Sequence, residues 1–429
     1  MKNLLTSSAL CMALPMAAWA ADKPETLKIG MTTFLTGSAS VFGVPARDAM
    51  DIFVENRNAE GGINGVPIEV TYIDEGAGAE ALTSEFRRMA DSGGAEVMLA
   101  AISSGNCQTL APLAEDLKVP NLMWDCGTQR IFEEADYEYV FRPQGNATSE
   151  MLAAVAYLLK THPDFETIAV VNQDYAWGRD SWEIFHTALE VMKPDVEVVG
   201  EFFPKFGSPD FSTEISRLQA LRPDVVLSTS WGGDLDTFVQ QAFQRGLMNT
   251  STFVLPLAES SLERLGNALP AGHIIGARGD HYFLHPERRE DEDFTSFMAQ
   301  YKEATGGIPV YSVFHASQAF AALTAAYEKA IADNDVDWPS EEQLLAALDG
   351  LEFQGLGRKL HLREDHQGVE SQLMGTSVQT GEYPFATLEN IMIFDGEGLL
   401  PPVGEESTAW IRTLDAGFVD SLSVETYEN

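Results

Sequence analysis

Three things are scarce in this chain of 429 residues: cysteine, basic side chains and, after the first twenty residues, any long apolar run. Only Cys11, Cys107 and Cys126 are present, too few for a cysteine-rich structural zinc site. Lysine and arginine number 27 against 65 acids, a net charge of −38 that argues against nucleic acid and anionic membranes as partners. The acids are spread along the chain, as on a strongly hydrated surface, with runs such as ERREDED (287–293) read as solvated faces. No later stretch approaches the roughly 20 apolar residues that a bilayer span requires.

The catalytic signatures are missing as well. There is no P-loop, no GxSxG elbow, no HExxH and no GxGxxG after the first strand. A secreted α/β hydrolase is the alternative from another function class, but it needs a nucleophile with a base within reach. The eight histidines fall in no such pattern. His281 and His285 are four apart beside Asp280, a spacing one helical turn would aim at a metal. Their segment reads as strand and loop closed by Pro286, so they are taken as surface or hinge histidines, and no metal or cofactor is expected.

What is present begins with a leader. Lys2, a charge-free run from Leu4 to Trp19 and the small-residue pattern Ala18-Trp19-Ala20 fit a secretory signal over 1–20, cleaved after Ala20. Export to an oxidising compartment favours a Cys107–Cys126 disulfide, which would close a loop of about 20 residues and contribute about 3 kcal/mol. Two free buried thiols are the alternative.

The mature chain alternates strand and helix. LKIGM, a turn-rich loop and a helix over 44–59 are followed by a glycine turn, IEVTYID, a helix over 79–92, AEVMLAAI, a helix over 107–117 and VPNLMW. The pattern restarts near Arg142-Pro143, with helices expected over 151–160, 178–192, 211–221 and 235–245 between apolar strands. HIIGARGDHYF (273–283) reads as a returning strand, and two helices follow over 294–305 and 313–333. From 340 come a short helix and the strand-like pieces RKLHL, GVESQLMGTSVQ and ENIMIFD. Such alternation implies parallel sheets covered on both faces. In these sheets ligands sit at the carboxyl ends of strands, against helix amino termini. The polar clusters SSGN and CGTQ close two neighbouring strands, so Ser103, Ser104 and Thr128 come to one rim, where hydroxyls and free N–H groups suit a carboxylate.

In order and spacing, KIGMTTFLTGSASVFG, VENRNAEGGINGVPIEVTYID, the SSG and CGT rims, DYAWGRD, STSWGGD and LPLAESS resemble the type I periplasmic solute-binding proteins of ABC importers, the branched-chain amino-acid (leucine/isoleucine/valine) group. The resemblance covers most of the mature chain. It implies two doubly wound α/β lobes joined by a hinge of three crossings: 21–143 with 278–349, and 144–277 with 350–400, leaving a tail over 401–429. It also implies a periplasmic protein that captures a small solute and delivers it to a membrane permease. Carried onto this sequence, Ser104, Thr128 and the backbone at Cys126 would grip a ligand carboxylate. Trp177, Trp231 and Phe42 would wall the pocket, and Glu259 would meet an amine. Tyr175, Arg179 and Tyr282 are further candidates.

Tryptophan stands at both positions where the amino-acid binders commonly carry tyrosine. Broad π faces suit an aromatic ring or a cation. The solute is therefore expected to be an amino acid or a similar zwitterion, betaine-like included, with an aromatic carboxylate as the rival. Plainer roles exist for each residue: Ser104 and Thr128 as helix caps, the tryptophans as core aromatics, Glu259 as a loop acid.

Overall fold

The computed structural model describes residues 21–281, 288 and 291–427. Its first lobe is built on β1 (Leu27–Thr33), β2 (Ile68–Asp74), β3 (Val97–Leu99), β4 (Asn121–Leu122) and β5 (Val140–Phe141), all parallel in the order β2-β1-β3-β4-β5. Apart from the solvent-facing side of β2, these strands are apolar on both faces because helices cover both. Gly30 in β1 leaves room for Met98 of β3, since a Cβ there would lie 2.6 Å from the Met98 sulfur.

The second lobe places β6 (Thr167–Val171), β7 (Glu197–Phe202), β8 (Val225–Leu227), β9 (Thr252–Leu255) and β10 (Ile274–Gly276) in parallel. The chain then returns to the first lobe through the helix Tyr311–Asn334, which packs along the helix Ser40–Ala59. Three short strands, β11 (Glu352–Gln354), β12 (Lys359–Leu362) and β13 (Gly368–Val369), make a small antiparallel sheet against that long helix. Finally β14 (Gln372–Val378), β15 (Thr387–Phe394) and β16 (Val424–Tyr427) extend the second sheet antiparallel, giving the order β16-β15-β14-β10-β9-β8-β6-β7. Because β11 and β12 sit on the first lobe, we place the third crossing near 367–371 rather than at 350.

The returning strand expected over 273–283 is cut to Ile274–Gly276, since Arg278 and Gly279 both take positive φ (45° and 104°) and turn the chain out of the sheet. The tail does not hang free. Ser407 bonds Glu133 of the first lobe (N···O 3.1 Å) and Thr148 of the second (2.6 Å), and Arg358 of the small sheet meets Glu425 of β16 at 3.1 Å. No helix among the described residues is long and apolar enough to cross a membrane.

Candidate functional site

Strand order reverses between β1 and β3 in the first sheet and between β6 and β8 in the second. Loops diverge at such points and leave a crevice. Here the two crevices face each other, and the cleft between the lobes is closed down to a cavity of about 10 Å³, room for about one water. Ile102, Ser104, Asp125 and Gly127 line it from the first lobe, Tyr175, Trp177, Trp231 and Leu257 from the second, and Arg278 from a crossing segment.

The first rim is held from beneath by the buried carboxylate of Glu75. It accepts from Thr32 Oγ1 (2.7 Å), the Ile102 N–H (2.9 Å) and Asn106 Nδ2 (2.7 Å), which fixes the start of the helix Ser104–Leu117. Burial raises its pKa above the usual carboxylate range, while Asn106 and Thr32 pull the other way. Ser103 is the cap of that helix, accepting from the Asn106 N–H at 3.4 Å. Ser104, the next residue, lines the cleft, and its Oγ accepts from the Thr128 N–H at 3.2 Å.

The Thr128 hydroxyl reaches across the gap and donates to Asp180 Oδ2 at 2.5 Å. Arg130 joins it, with Nε 2.9 Å from Asp180 Oδ1 and a second ion pair to Glu183. At the opposite edge Ser38 accepts from the Gly233 N–H at 3.0 Å, and its hydroxyl lies 3.3 Å from Asp234 Oδ1. Gly127 in CGTQ is explained by Trp177, because a Cβ at 127 would lie 2.4 Å from the indole. Trp177 Nε1 donates to the Thr229 carbonyl at 2.8 Å, which fixes the ring against that rim.

Trp231 is the centre of an aromatic contact between lobes. Its ring centroid is 5.8 Å from Phe34 and 5.4 Å from Phe42 of the first lobe, and 5.6 Å from Phe206 of its own. Its Nε1 donates to the Tyr175 hydroxyl at 2.6 Å. Phe42 supports this wall from behind, without lining the cavity itself. Glu259 is fully buried and bridges lobes: Oε2 accepts from the N–H of Tyr311, the first residue of the long helix, at 3.0 Å, and Oε1 lies 2.6 Å from His281 Nε2. A carboxylate there also gains from the helix dipole. His281 is thus buried in the hinge region, not on the surface. Arg179 is exposed, bonding Asp174 and lying over the Phe203 ring. Tyr282 and His285 lie outside the described residues.

The expected disulfide is not formed. Cys107 and Cys126 are free, buried thiols, and the Cys107 thiol lies 3.8 Å from the Ile102 carbonyl, to which it donates. Burial, followed by the Cys126 contact, pushes the Cys107 pKa well up, so it stays protonated in an apolar pocket. The Cys126 carbonyl accepts from Arg142 Nη1 at 3.1 Å and so faces away from the cleft.

Two charged residues of the cleft, Arg278 and Asp125, were not among the sequence candidates. Arg278 Nε and Nη2 lie 2.9 Å from the two Glu150 oxygens, and Nη1 donates to Asp125 Oδ1 at 2.9 Å. Its guanidinium carbon lies 5.2 Å from the Trp177 centroid and 5.3 Å from that of Tyr311. His315 completes the group, with Nδ1 on Asp125 and Nε2 donating to the Arg278 carbonyl at 2.7 Å. Burial works to lower the His315 pKa, but Glu370 and Asp125 hold it above the ordinary value, so both ring nitrogens donate. Arg278 and His315 thereby balance Asp125 and Glu150. Glu370, 3.6 Å from His315, is pushed up to about 7 by burial. The only sequence signal was polar residues ending apolar runs, in MWDCGT and IIGARGD. No group of three or more potential metal ligands gathers among the described residues.

Two facing crevices closed by hinged α/β lobes define a solute-trapping architecture. Residues 26–382 match the periplasmic binding protein family model, and the chain belongs to that family. Among curated proteins it is similar to Leu/Ile/Val-binding protein homolog 4 of Brucella melitensis, 25% identical over 73% of this chain and 74% of the relative. It is also similar to homolog 7 of Brucella suis, 24% identical over 86% and 92%. Among solved structures, it superposes on an ABC transporter solute-binding protein from Rhodopseudomonas palustris BisB5 in complex with 3,4-dihydroxybenzoic acid, at TM-score 0.74 and 19% identity, covering 87% of this chain and 98% of that one. A leucine-, isoleucine-, valine-, threonine- and alanine-binding protein from Brucella ovis, in a closed conformation, gives TM-score 0.72 at 19% identity over 89% and 98%. At such identities the structural likeness establishes the fold.

Proposed function

We propose that this protein is the periplasmic solute-binding component of an ABC importer, taking a small carboxylate-bearing solute between its lobes and presenting it to a membrane permease. The observation that carries this reading is the meeting of both switch-point crevices in one cleft, where Ser104, Asp125 and Gly127 oppose Trp177 and Trp231. Family membership supports it, as do relatives named for leucine, isoleucine and valine and a structural neighbour holding a benzoic acid.

The work done is a shift of population, not chemistry: the solute stabilises the closed form by binding both lobes at once. Since the closed cleft leaves only about 10 Å³, the lobes must part for entry and then close less far over a solute than over one another. The leader over 1–20 delivers the chain to the periplasm, and the first lobe is taken as 21–143 with 278 to about 366.

A thermal-shift screen of the chain without its leader, against amino acids, betaines and aromatic acids, tests this. A ligand present at a hundred times its Kd stabilises by about 2.7 kcal/mol, readily seen as a raised Tm. A protein that no member of these classes stabilises, or one that turns a solute over, refutes the proposal.

A further inference from the structure

We infer that Arg278 reads the acid group of the solute, and that the cleft takes an aromatic carboxylate lacking a cationic group. This deepens the function proposed above and rests on it.

Of the groups expected to hold an amino acid, Ser104 keeps its hydroxyl donor toward the cleft, but Thr128 and Glu259 are not turned to it. The Thr128 hydroxyl donates to Asp180 and its N–H to Ser104, so neither is turned to a solute. Glu259 Oε2 accepts from the Tyr311 N–H, and Oε1, which accepts no hydrogen bond, is covered by the buried His281 ring 2.6 Å away; Glu259 does not line the cavity, so no acid is open there for an ammonium. The faces of Trp177 and Tyr311 are engaged too, since the guanidinium of Arg278 already lies against them, at 5.2 and 5.3 Å. A quaternary ammonium would have to displace the protein's own cation.

Arg278 itself retains capacity. A guanidinium carries five N–H donors in one plane, of which Nε hydrogen-bonds Glu150 and Nη1 hydrogen-bonds Asp125, while Nη2, 2.9 Å from Glu150 Oε1 as an ion pair, is buried without a hydrogen bond. Nη1 keeps a second donor beside the unbonded Nη2, and the two form the fork that matches a carboxylate. The Nη2 edge stays open because residue 127 is glycine: a Cβ there would sit 3.3 Å from it. Glu150 and Asp125 fix the fork's direction, and with His315 they balance its charge, so the fork acts through aimed donors and not through net charge. The walls beside it, Trp177, Trp231 and Tyr175, suit the edges and faces of a flat ring.

Calorimetry on the chain without its leader, with benzoate, benzamide and leucine as probes, tests the inference. Benzamide keeps the shape of benzoate and lacks the acid. Wild type is expected to prefer benzoate by about tenfold to a hundredfold, the range for a charge-assisted pair of hydrogen bonds, and to bind leucine more weakly than benzoate. Arg278→Gln with Glu150→Gln keeps the local charge balanced and should abolish that preference while preserving circular dichroism and Tm. Arg278→Lys, which keeps the charge but not the planar fork, should weaken benzoate by about tenfold. If both variants keep the benzoate preference, Arg278 is not the reader. If leucine binds wild type more tightly than benzoate, the ligand class is wrong. If wild type binds no carboxylate at all, the solute-binding reading falls together with this one.

Discussion

The lobes meet along two seams of different chemistry. One is aromatic: Trp231 against Phe34 and Phe42, buried and tightly packed. The other is ionic: Arg130, 30% exposed, meets Asp180, 6% exposed, and, at the rim, Glu183, 45% exposed. Both span the same gap, but they need not contribute equally. Buried aromatic anchors dominate association energies, whereas exposed ion pairs contribute about 0 to 1 kcal/mol and weaken as salt is added. Closure should therefore be driven by the aromatic seam and aligned by the ionic one.

Trp231→Ala should have the largest effect. Loss of a central anchor of about 2 kcal/mol or more lowers solute affinity by about thirtyfold or more. The radius of gyration of the solute-saturated protein should stay at the open value in small-angle scattering. A closed, tight-binding Trp231→Ala protein would break the comparison.

A change inside a lobe, away from either seam, acts on stability and not on affinity. Burial lowers the pKa of His273 to about 4, from an ordinary value of 6.5. Its neutral form is the one that fits, so its contribution is complete above pH 6.5 and is lost as the pH falls from 6.5 toward 4, to a limit of about 3 kcal/mol. Denaturant titrations at pH 7 and pH 4.5 should show a smaller acid loss in His273→Asn than in wild type, with the solute affinity at pH 7 unchanged in both. A shift in that affinity would couple the lobe interior to the cleft.

The smallest effect is expected for Glu183→Ala, which removes only the exposed pair and leaves Arg130 on Asp180, about two- to fivefold in solute affinity at low ionic strength. The difference from wild type should vanish near 1 M salt, where the Debye length is about 3 Å. A salt-independent loss would mean that Glu183 acts through packing, not through its charge.

The contrast between seams also explains what could be read in advance. Apolar runs and helical periodicity gave both lobes and their alternation, because burial of those residues is what builds the sheets. Helix starts were read too late at the cleft. The helices begin at Ser40, Ser104, Ala147, Ala176 and Gly232, two to four residues before the first periodic residue. Those first turns mix small or polar residues with the cleft aromatics Phe42 and Trp177, which face the site rather than the helix's own apolar stripe, so the core period starts after them.

Trp177, Trp231, Tyr175 and Ser104 were legible as cleft residues from the order of the rims and the family resemblance. The Arg278 group was not, since it joins positions 125, 150, 278 and 315, which no local pattern connects. The pairing of Cys107 with Cys126 was inferred from compartment alone. Both are present as free thiols buried in an apolar core.

Ser407 grips Glu133 on one lobe and Thr148 on the other, while β16 is sewn to the edge of the second sheet and clasped by Arg358. The two halves are thus bound along a spine, like the boards of a book. On the proposed function, such a spine confines the lobes to swinging apart on the side where the pages open, and each reopening would return the same two faces to register for the next solute.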